Sequence, residues 1–193
     1  MHSLADVTSK RPQPLTEQLA LLRQRQQGPQ RISQPVALIG PGDAGPHECE
    51  AAYAIAAGLA AAGLAVICGG RGGVMQAAAQ GASEAGGIVI GLLPEEDTSA
   101  ANPYLSVALP TGIGEMRNAL IARSAICLVS VGSNLGTLSE MAMGLKWGKP
   151  LFSLYPGLRL DGMREFDCAD TLLAEVCASL LDSRPADQAG IRA

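Results

Sequence analysis

The chain has 193 residues, of which 48% are hydrophobic and 3% aromatic, and its formal net charge at pH 7 is −4. This length and apolar content can bury one sizeable core, so we expect one domain with terminal extensions and no second full domain. The acidic balance and the scarcity of aromatic rings argue against nucleic-acid binding, which draws on clustered Lys and Arg and on stacking.

The N-terminal segment, residues 1–33, is polar and rich in glutamine. Leu15, Leu19 and Leu22 have helical spacing, which predicts a short docking helix that ends before Gly28, with the rest of the segment mobile. No apolar run approaches the roughly 20 residues that a membrane helix needs. We therefore expect a cytoplasmic protein with an N-terminal extension (1–33), one domain (34–183) and a C-terminal tail (184–193).

From residue 35 onward, short apolar runs alternate with longer Ala-rich segments, as is typical of βαβ units. Strands are predicted at 35–40, 64–68, 88–92, 105–109, 126–131 and 150–155. Helices are predicted at 46–62, 73–85, 113–124, 137–147 and 169–182. The fold class is therefore α/β, a Rossmann-like doubly wound, mostly parallel sheet of six to seven strands with helices on both faces. Its ligand should bind beyond the carboxyl ends of the strands.

The loop after the first predicted strand is GPGDAG, from Gly40 to Gly45, which matches the pattern G-x-G-x-x-G. Glycines at Gly40 and Gly42 would allow a phosphate to approach a helix N-terminus closely. The second strand ends without the carboxylate that holds a ribose in dinucleotide-binding proteins, so the pattern disfavours an NAD(P) enzyme.

The second loop, GGRGGVM, combines four glycines with an arginine. Exposed backbone N–H groups at a helix N-terminus form an anion cradle, and an arginine within it adds a bidentate donor. The alternative is that the glycines only permit a tight turn and that Arg71 is solvated. The predicted phosphate-binding residues here are Gly69, Gly70, Arg71, Gly72 and Gly73.

Positive charge is scarce between residues 32 and 145, where the only Lys or Arg residues are Arg71, Arg117 and Arg123, against nine acidic residues. Arg117 lies near the expected ligand-facing start of its helix, beside Asn118, and is the better candidate for direct contact. Arg123 is six residues further on and is expected to pair with an acidic residue or to cap a neighbouring loop.

The segment VGSNLGTLSE follows the fifth predicted strand and leads into a helix. Thr137 and Glu140 have the spacing of a capping box, so a purely structural role for Glu140 competes with a catalytic one. Ser133 and Asn134 can donate hydrogen bonds to an anion, and Asn tolerates a left-handed backbone.

Taken together, GGRGGVM, GEMRNALIARSA and GSNLGTLSE resemble the LONELY GUY (LOG) family, once mislabelled lysine decarboxylases. Within the wider superfamily, the chain most resembles the branch that contains the molybdenum cofactor carrier proteins, through the motifs GGRGGVM, ANPY, PTGIGEMRNALIARSA and GTLSE. The resemblance spans residues 35–155. A pyridoxal-dependent decarboxylase would need a buried lysine, and the segment's first lysine, Lys146, looks exposed at the end of a helix.

LOG enzymes hydrolyse the N-glycosidic bond of nucleoside 5′-monophosphates, and their signature PGGxGTxxE follows an arginine on the upstream helix. The resemblance places the catalytic pair on Arg117 and Glu140, with a second family arginine on Arg123. The PGG triplet is replaced here by Gly132, Ser133 and Asn134.

Two functions follow from this resemblance. The first is a protein that binds a phosphorylated, nucleotide-like ligand, with the molybdenum cofactor as a candidate cargo and no cofactor required. The second is a phosphoribohydrolase acting on AMP or on a cytokinin riboside monophosphate, with Arg117 and Glu140 as its working pair. The expected ligand-binding residues, besides the glycine loops, are Arg117, Asn118, Gly132, Ser133, Asn134, Gly136 and Thr137.

The resemblance also implies a homo-oligomer, a dimer or a tetramer. The five cysteines are odd in number and include no C-x-x-C pair, which favours reduced thiols over a metal site. His47 lies two residues into a predicted helix and is expected to be solvated, without a partner for acid–base work.

Overall fold

The structure is a computed structural model that describes residues 13–183. The predicted C-terminal tail and the first twelve residues of the N-terminal extension lie outside the described residues. Within residues 13–183, no helix combines the length and the apolar character that a membrane crossing requires.

Over the described range the chain forms six α-helices, seven strands and one turn of 3-10 helix, Gly114–Met116. The helices are Leu15–Gln26 (α1), Pro46–Ala61 (α2), Val74–Glu84 (α3), Arg117–Ser124 (α4), Leu135–Lys146 (α5) and Ala169–Asp182 (α6). The strands are Val36–Ile39 (β1), Val66–Cys68 (β2), Val89–Leu93 (β3), Val107–Pro110 (β4), Leu128–Val131 (β5), Leu151–Leu154 (β6) and Arg164–Phe166 (β7).

The strands form one parallel sheet in the order β4-β3-β2-β1-β5-β6-β7. From β1 the chain moves outward through β2, β3 and β4, and then crosses to the other side of β1 to form β5. The strand order therefore reverses between β1 and β5, and open α/β sheets bind ligands in the crevice at such a point. The predicted Rossmann-like doubly wound fold is confirmed.

Helices cover both faces of the central strands. Val36 and Leu38 of β1 pack in a core with α2, α3 and α6, and α1 joins the same core. Ala37 and Ile39 point to the opposite face and pack with residues of α4 and α5. Because strand side chains alternate between faces, a wholly apolar strand is stable only when both faces are covered, as here.

Every predicted strand overlaps an observed one, but β2, β4 and β5 each begin two residues later than predicted, and one edge strand has no predicted counterpart. Strand β7 was not predicted, because its residues Arg164 and Glu165 are polar and exposed. It lies at the edge of the sheet and forms backbone hydrogen bonds with β6 alone among the strands. Strand β4 begins at Val107 and not at residue 105, since Leu105 packs over the backbone of Gly91. Edge strands carry a weaker apolar signal than central ones because less of their surface is buried.

Helix α1 lies where the leucine spacing predicted a docking helix. Leu22 is fully buried in the core shared with α2 and α6. Arg25 donates hydrogen bonds to the carbonyl oxygens of Leu180, at 2.6 Å, and Ser183, at 2.8 Å, and so satisfies the last turn of α6. The division of the chain into extension, domain and tail stays a prediction.

Candidate ligand-binding site

A cavity of about 340 Å³ opens at the carboxyl edge of the sheet, where the chain leaves the neighbouring strands β1 and β5 toward opposite faces. Its walls come from the loops after β1 and β2 and from the first turns of α4 and α5. Its volume falls within the range of small-molecule sites. The lining residues are Ile39, Gly40, Gly42, Gly69, Arg71, Gly72, Met75, Glu115, Arg117, Asn118, Asn134, Gly136, Thr137 and Glu140.

Glycine serves two purposes around this cavity. At Gly40 the backbone packs directly against the carbonyl of Val131, so a side chain would not fit. At Gly42 an added Cβ would touch only the Cε atom of Met75, at 3.6 Å, and at Gly136 its nearest neighbour would be 3.4 Å away. Gly42 and Gly136 therefore expose bare backbone to open space, where a ligand can approach.

The loop after β2, residues 69–73, is shaped by glycine and packs against α4. Gly70 and Gly73 have φ angles of 75° and 59°, in the left-handed region that favours glycine. A Cβ on Gly69 would lie 2.5 Å from Nη2 of Arg117, so this glycine makes room for the guanidinium. The predicted glycine turn after β2 therefore also determines where the guanidinium of Arg117 can lie.

Arg71 lies at the wall of the cavity with its side chain 43% exposed. Its Nη2 atom donates a hydrogen bond to Oε1 of Glu95, a residue of the β3–β4 connection. That contact lowers the pKa of Glu95 below its ordinary value, so the carboxylate keeps its charge. The guanidinium has five N–H donors, and most of them remain for a ligand.

Arg117 and Glu140 form a buried pair at the bottom of the cavity. Their side chains are 6% and 7% exposed, and Arg117 Nη1 donates to Glu140 Oε1 at 3.3 Å. Burial raises the pKa of Glu140 to about 8, although the Arg117 guanidinium acts in the opposite direction. Burial thus favours the protonated carboxyl, which leaves the positive charge of Arg117 available to an anion. Its Nε atom is buried without a hydrogen-bond partner in the structure.

Asn118 lies beside this pair and is oriented by α5. Its Nδ2 atom donates to Oγ of Ser139 at 2.9 Å, and its side chain is buried. Its Oδ1 atom is buried without a partner in the structure. A buried polar atom without a partner costs free energy, so Arg117 Nε is left needing one acceptor and Asn118 Oδ1 one donor.

The first turn of α5 is capped by Asn134. Its Oδ1 atom accepts from the backbone nitrogen of Thr137 at 2.9 Å and from the Thr137 hydroxyl at 3.0 Å. The alternative in which Thr137 and Glu140 form a capping box does not hold, because the helix already begins at Leu135 and Glu140 pairs with Arg117. Asn134 does not use the left-handed backbone that asparagine tolerates, since its φ is −139°.

Gly132 and Ser133 lie next to the cavity wall and not on it. Gly132 supplies the left-handed residue of the turn, with φ of 66°. Ser133 Oγ accepts a hydrogen bond from the backbone nitrogen of Gly157 at 3.0 Å, which fastens the turn to the β6–β7 connection. A contact between Ser133 and an anion stays a prediction.

Most of the predicted site residues come together around the cavity. Those that line it are Gly40, Gly42, Gly69, Arg71, Gly72, Arg117, Asn118, Asn134, Gly136, Thr137 and Glu140. The others are Gly70, Gly73, Gly132 and Ser133, which shape the adjoining turns. Their roles in binding stay predictions.

Arg123 lies outside the cavity, and within residues 13–183 it makes neither of the two contacts expected for it, an ion pair with an acidic residue or a hydrogen bond that caps a neighbouring loop. Its guanidinium carbon lies 5.2 Å from the ring centroid of Trp147. Arg123 occupies the last turn of α4, and a helix between parallel strands runs back to the amino edge of the sheet, away from the cavity.

His47 does have a partner, since its Nε2 lies 3.2 Å from the hydroxyl of Tyr155. Lys146 is exposed at the end of α5, as predicted.

Three lining residues were not predicted: Ile39, Met75 and Glu115. Ile39 and Met75 belong to apolar runs that indicate core, and one side of each borders the cavity. Glu115 precedes Arg117 by two residues in the 3-10 turn, so its place beside that arginine could have been inferred. Between residues 13 and 183, no group of three or more His, Cys, Asp or Glu side chains could hold a metal ion.

A family model described as the SLOG cluster4 family matches residues 33–179 of the chain. The chain belongs to the SLOG cluster4 family. The match includes every segment that lines the cavity. Membership of the LOG-like superfamily, near the molybdenum cofactor carrier proteins, is confirmed.

Relatives of this SLOG cluster4 protein include a protein of Archaeoglobus fulgidus described as uncharacterized, 38% identical over 132 residues, or 68% of this chain and 87% of the relative. The molybdenum cofactor binding protein from the phototrophic bacterium Rippkaea orientalis has a TM-score of 0.72 and 31% identity, over 78% of this chain and 99% of that chain. The molybdenum cofactor carrier protein from Chlamydomonas reinhardtii has a TM-score of 0.69 and 29% identity, over 77% of this chain and 99% of that chain.

Proposed function

We propose that this SLOG cluster4 protein binds a phosphorylated, nucleotide-like ligand in the cavity and that the ligand it carries is the molybdenum cofactor. The observation that carries the proposal is the buried Arg117 Nε atom without a partner, at the bottom of a cavity that also contains Arg71. The names of the structural relatives from Rippkaea orientalis and Chlamydomonas reinhardtii support the choice of cargo.

A phosphate fits the arginine side of the cavity. Arg71 offers exposed N–H donors, Arg117 offers a buried one, and Gly42 and Gly136 expose backbone beside them. Arginine–phosphate hydrogen bonds are charge-assisted and about twice as strong as neutral ones. In the low-dielectric surroundings of Arg117 the attraction exceeds that of a surface pair.

The acceptors around Arg117 fit a ligand that also carries N–H donors. Asn118 Oδ1 has no partner, and the carboxyl groups of Glu115 and Glu140 also border the cavity. A pterin ring carries an amino group and ring N–H groups, and these need such acceptors. A ligand that combines a phosphate with a pterin therefore uses both sets of groups.

The test is an anaerobic equilibrium dialysis of the protein against isolated molybdenum cofactor, with bound pterin measured by fluorescence after oxidation. We expect saturable binding that Arg71→Gln weakens about tenfold, the loss of one charge-assisted hydrogen bond. Arg31→Gln is the matched control, because it removes the same charge from an exposed position before β1, at the amino edge of the sheet. Equal binding by the two variants would contradict the proposal.

A second candidate function is hydrolysis of nucleoside 5′-monophosphates, and the Arg117–Glu140 pair favours it. A carboxyl with a pKa of about 8 holds a proton at neutral pH and can donate it to a departing base. Incubation with AMP, followed by chromatography for free adenine, separates the two functions. Adenine release that is lost in Glu140→Gln would establish an enzyme and overturn a pure carrier role.

We also propose that the chain forms a homo-oligomer through an apolar patch. Val107 and Leu109 of β4, together with Ile113, Met116 and Leu120, are apolar yet between 43% and 73% exposed. Val107 pairs in register with Ile90, a residue that packs on the α4 side of the sheet, so the patch continues that face. Light scattering should give a dimer or larger, and Leu120→Glu should give a monomer; a monomeric wild type would contradict this.

The cellular location that we propose is the cytoplasm. All five cysteines, which lie within the described residues, are free thiols. Three of them, Cys68, Cys127 and Cys177, are buried, and burial raises the pKa of each thiol. Free thiols persist in reducing compartments.

A further inference from the structure

We propose that Glu95, which lies outside the cavity, is a positioning residue that holds the guanidinium of Arg71 ready for the phosphate group of the ligand. This inference rests on the proposed function, because it concerns the same anion site. Asn102, from the same β3–β4 connection, supports the backbone beneath Arg71.

Glu95 contacts Arg71 from behind the cavity wall. Its Oε1 accepts from Arg71 Nη2, whereas Glu95 itself is absent from the lining residues. Its side chain is 26% exposed against 43% for Arg71, and its Oε2 atom is buried without a partner in the structure. The carboxylate therefore holds one corner of the guanidinium and leaves the others free to face the cavity.

Asn102 fixes the loop that carries Arg71. Its backbone nitrogen and its Nδ2 atom both donate to the carbonyl oxygen of Gly70, at 2.9 and 3.0 Å, and Nδ2 also donates to the carbonyl oxygen of Arg71 at 3.1 Å. Its Oδ1 atom accepts from the backbone nitrogen of Tyr104 at 3.1 Å. Carbonyl oxygens repel anions, and these bonds tie two of them to Asn102.

Preorganisation explains why such supports matter for binding. An exposed arginine has many rotamers, and ordering one long side chain on binding lowers the affinity roughly two- to tenfold. Glu95 restricts Arg71 before the ligand arrives, so less of this cost falls on binding. Its negative charge acts in the opposite direction, because it repels an anion, and a test must separate the two effects.

Comparing Glu95→Ala with Glu95→Gln separates the positioning of Arg71 from the repulsion between the Glu95 charge and the anion. Both variants lose the same negative charge, but glutamine keeps an oxygen that can accept from Arg71. Binding of inorganic phosphate is measured by phosphorus NMR. We expect the alanine variant to bind phosphate about fivefold more weakly than the glutamine variant.

The same comparison in an Arg71→Ala background tests whether Glu95 acts through Arg71. There the alanine and glutamine variants should bind phosphate equally, since no guanidinium remains to be positioned. Equal binding by the two variants with Arg71 present would overturn the inference and leave the proposed function standing. Absence of phosphate binding by the wild type would overturn both. Equal thermal unfolding temperatures of the two variants exclude a difference in folding.

Discussion

Replacing Glu140 by Gln removes a buried carboxyl whose pKa burial raises to about 8. An unperturbed glutamate, such as that of the unfolded chain, has a pKa of about 4.3. Between these two values the folded chain keeps the proton and the unfolded chain has lost it, so the stability of the wild type falls as the pH rises. Glutamine does not titrate, so Glu140→Gln lacks this pH-dependent contribution to the free energy of unfolding.

The size of this change in stability follows from the one proton that Glu140 keeps in the folded chain and loses in the unfolded chain. Each pH unit between about 5 and 7 changes the free energy of unfolding by about 1.4 kcal/mol, so two units change it by about 3 kcal/mol. The stability of Glu140→Gln relative to wild type should therefore increase by about 3 kcal/mol from pH 5 to pH 7 and become constant above pH 8. Other titrating groups are shared by the two proteins and cancel in the difference.

Urea denaturation at several pH values measures this difference directly. Glu50→Gln, at an exposed position of α2, is the matched control for the loss of a carboxyl and should follow the wild type. Parallel pH profiles for Glu140→Gln and the wild type would refute the reasoning, since they would mean that burial does not favour the protonated carboxyl.

Three further substitutions test other parts of the structure. Asn134→Ala removes the cap of α5 and should lower the free energy of unfolding by about 1 kcal/mol in urea; an unchanged value would mean that the cap is not used. Gly69→Ala places a Cβ 2.5 Å from Arg117 Nη2 and should weaken phosphate binding about tenfold; unchanged affinity would exclude Arg117 from the anion site. Leu22→Ala should lower the free energy of unfolding by about 2–5 kcal/mol in a single transition, whereas a separate early transition would mean that α1 unfolds independently.

The central architecture could be predicted because it depends on local patterns. β1, β2, β5 and β6 are short apolar runs between Ala-rich helices, and burial on both faces demands that composition. β7 could not be predicted in the same way, because a three-residue edge strand containing Arg164 and Glu165 buries little apolar surface. Its position depends on pairing with β6, which is a property of the assembled sheet.

The site could be predicted only in outline. Glycines and arginines near the ends of strands indicate which loops meet at the carboxyl edge. The partners within the site depend on tertiary contacts: Glu140 faces Arg117 rather than capping its own helix, and Arg71 meets Glu95 from a different connection. Asn134 became the cap because the helix begins two residues earlier than the sequence indicated.

The proposed cargo is tested most directly by what the protein retains from cells. The wild type and Arg117→Met are purified from cells that make the molybdenum cofactor and from cells that cannot, and pterin is measured by fluorescence after oxidation. We predict close to one pterin per wild-type chain from the first cells, and a background level for Arg117→Met and for both proteins from the second. Equal pterin in the wild type and in a folded Arg117→Met variant would contradict the proposed site, and no pterin in either would contradict the proposed cargo.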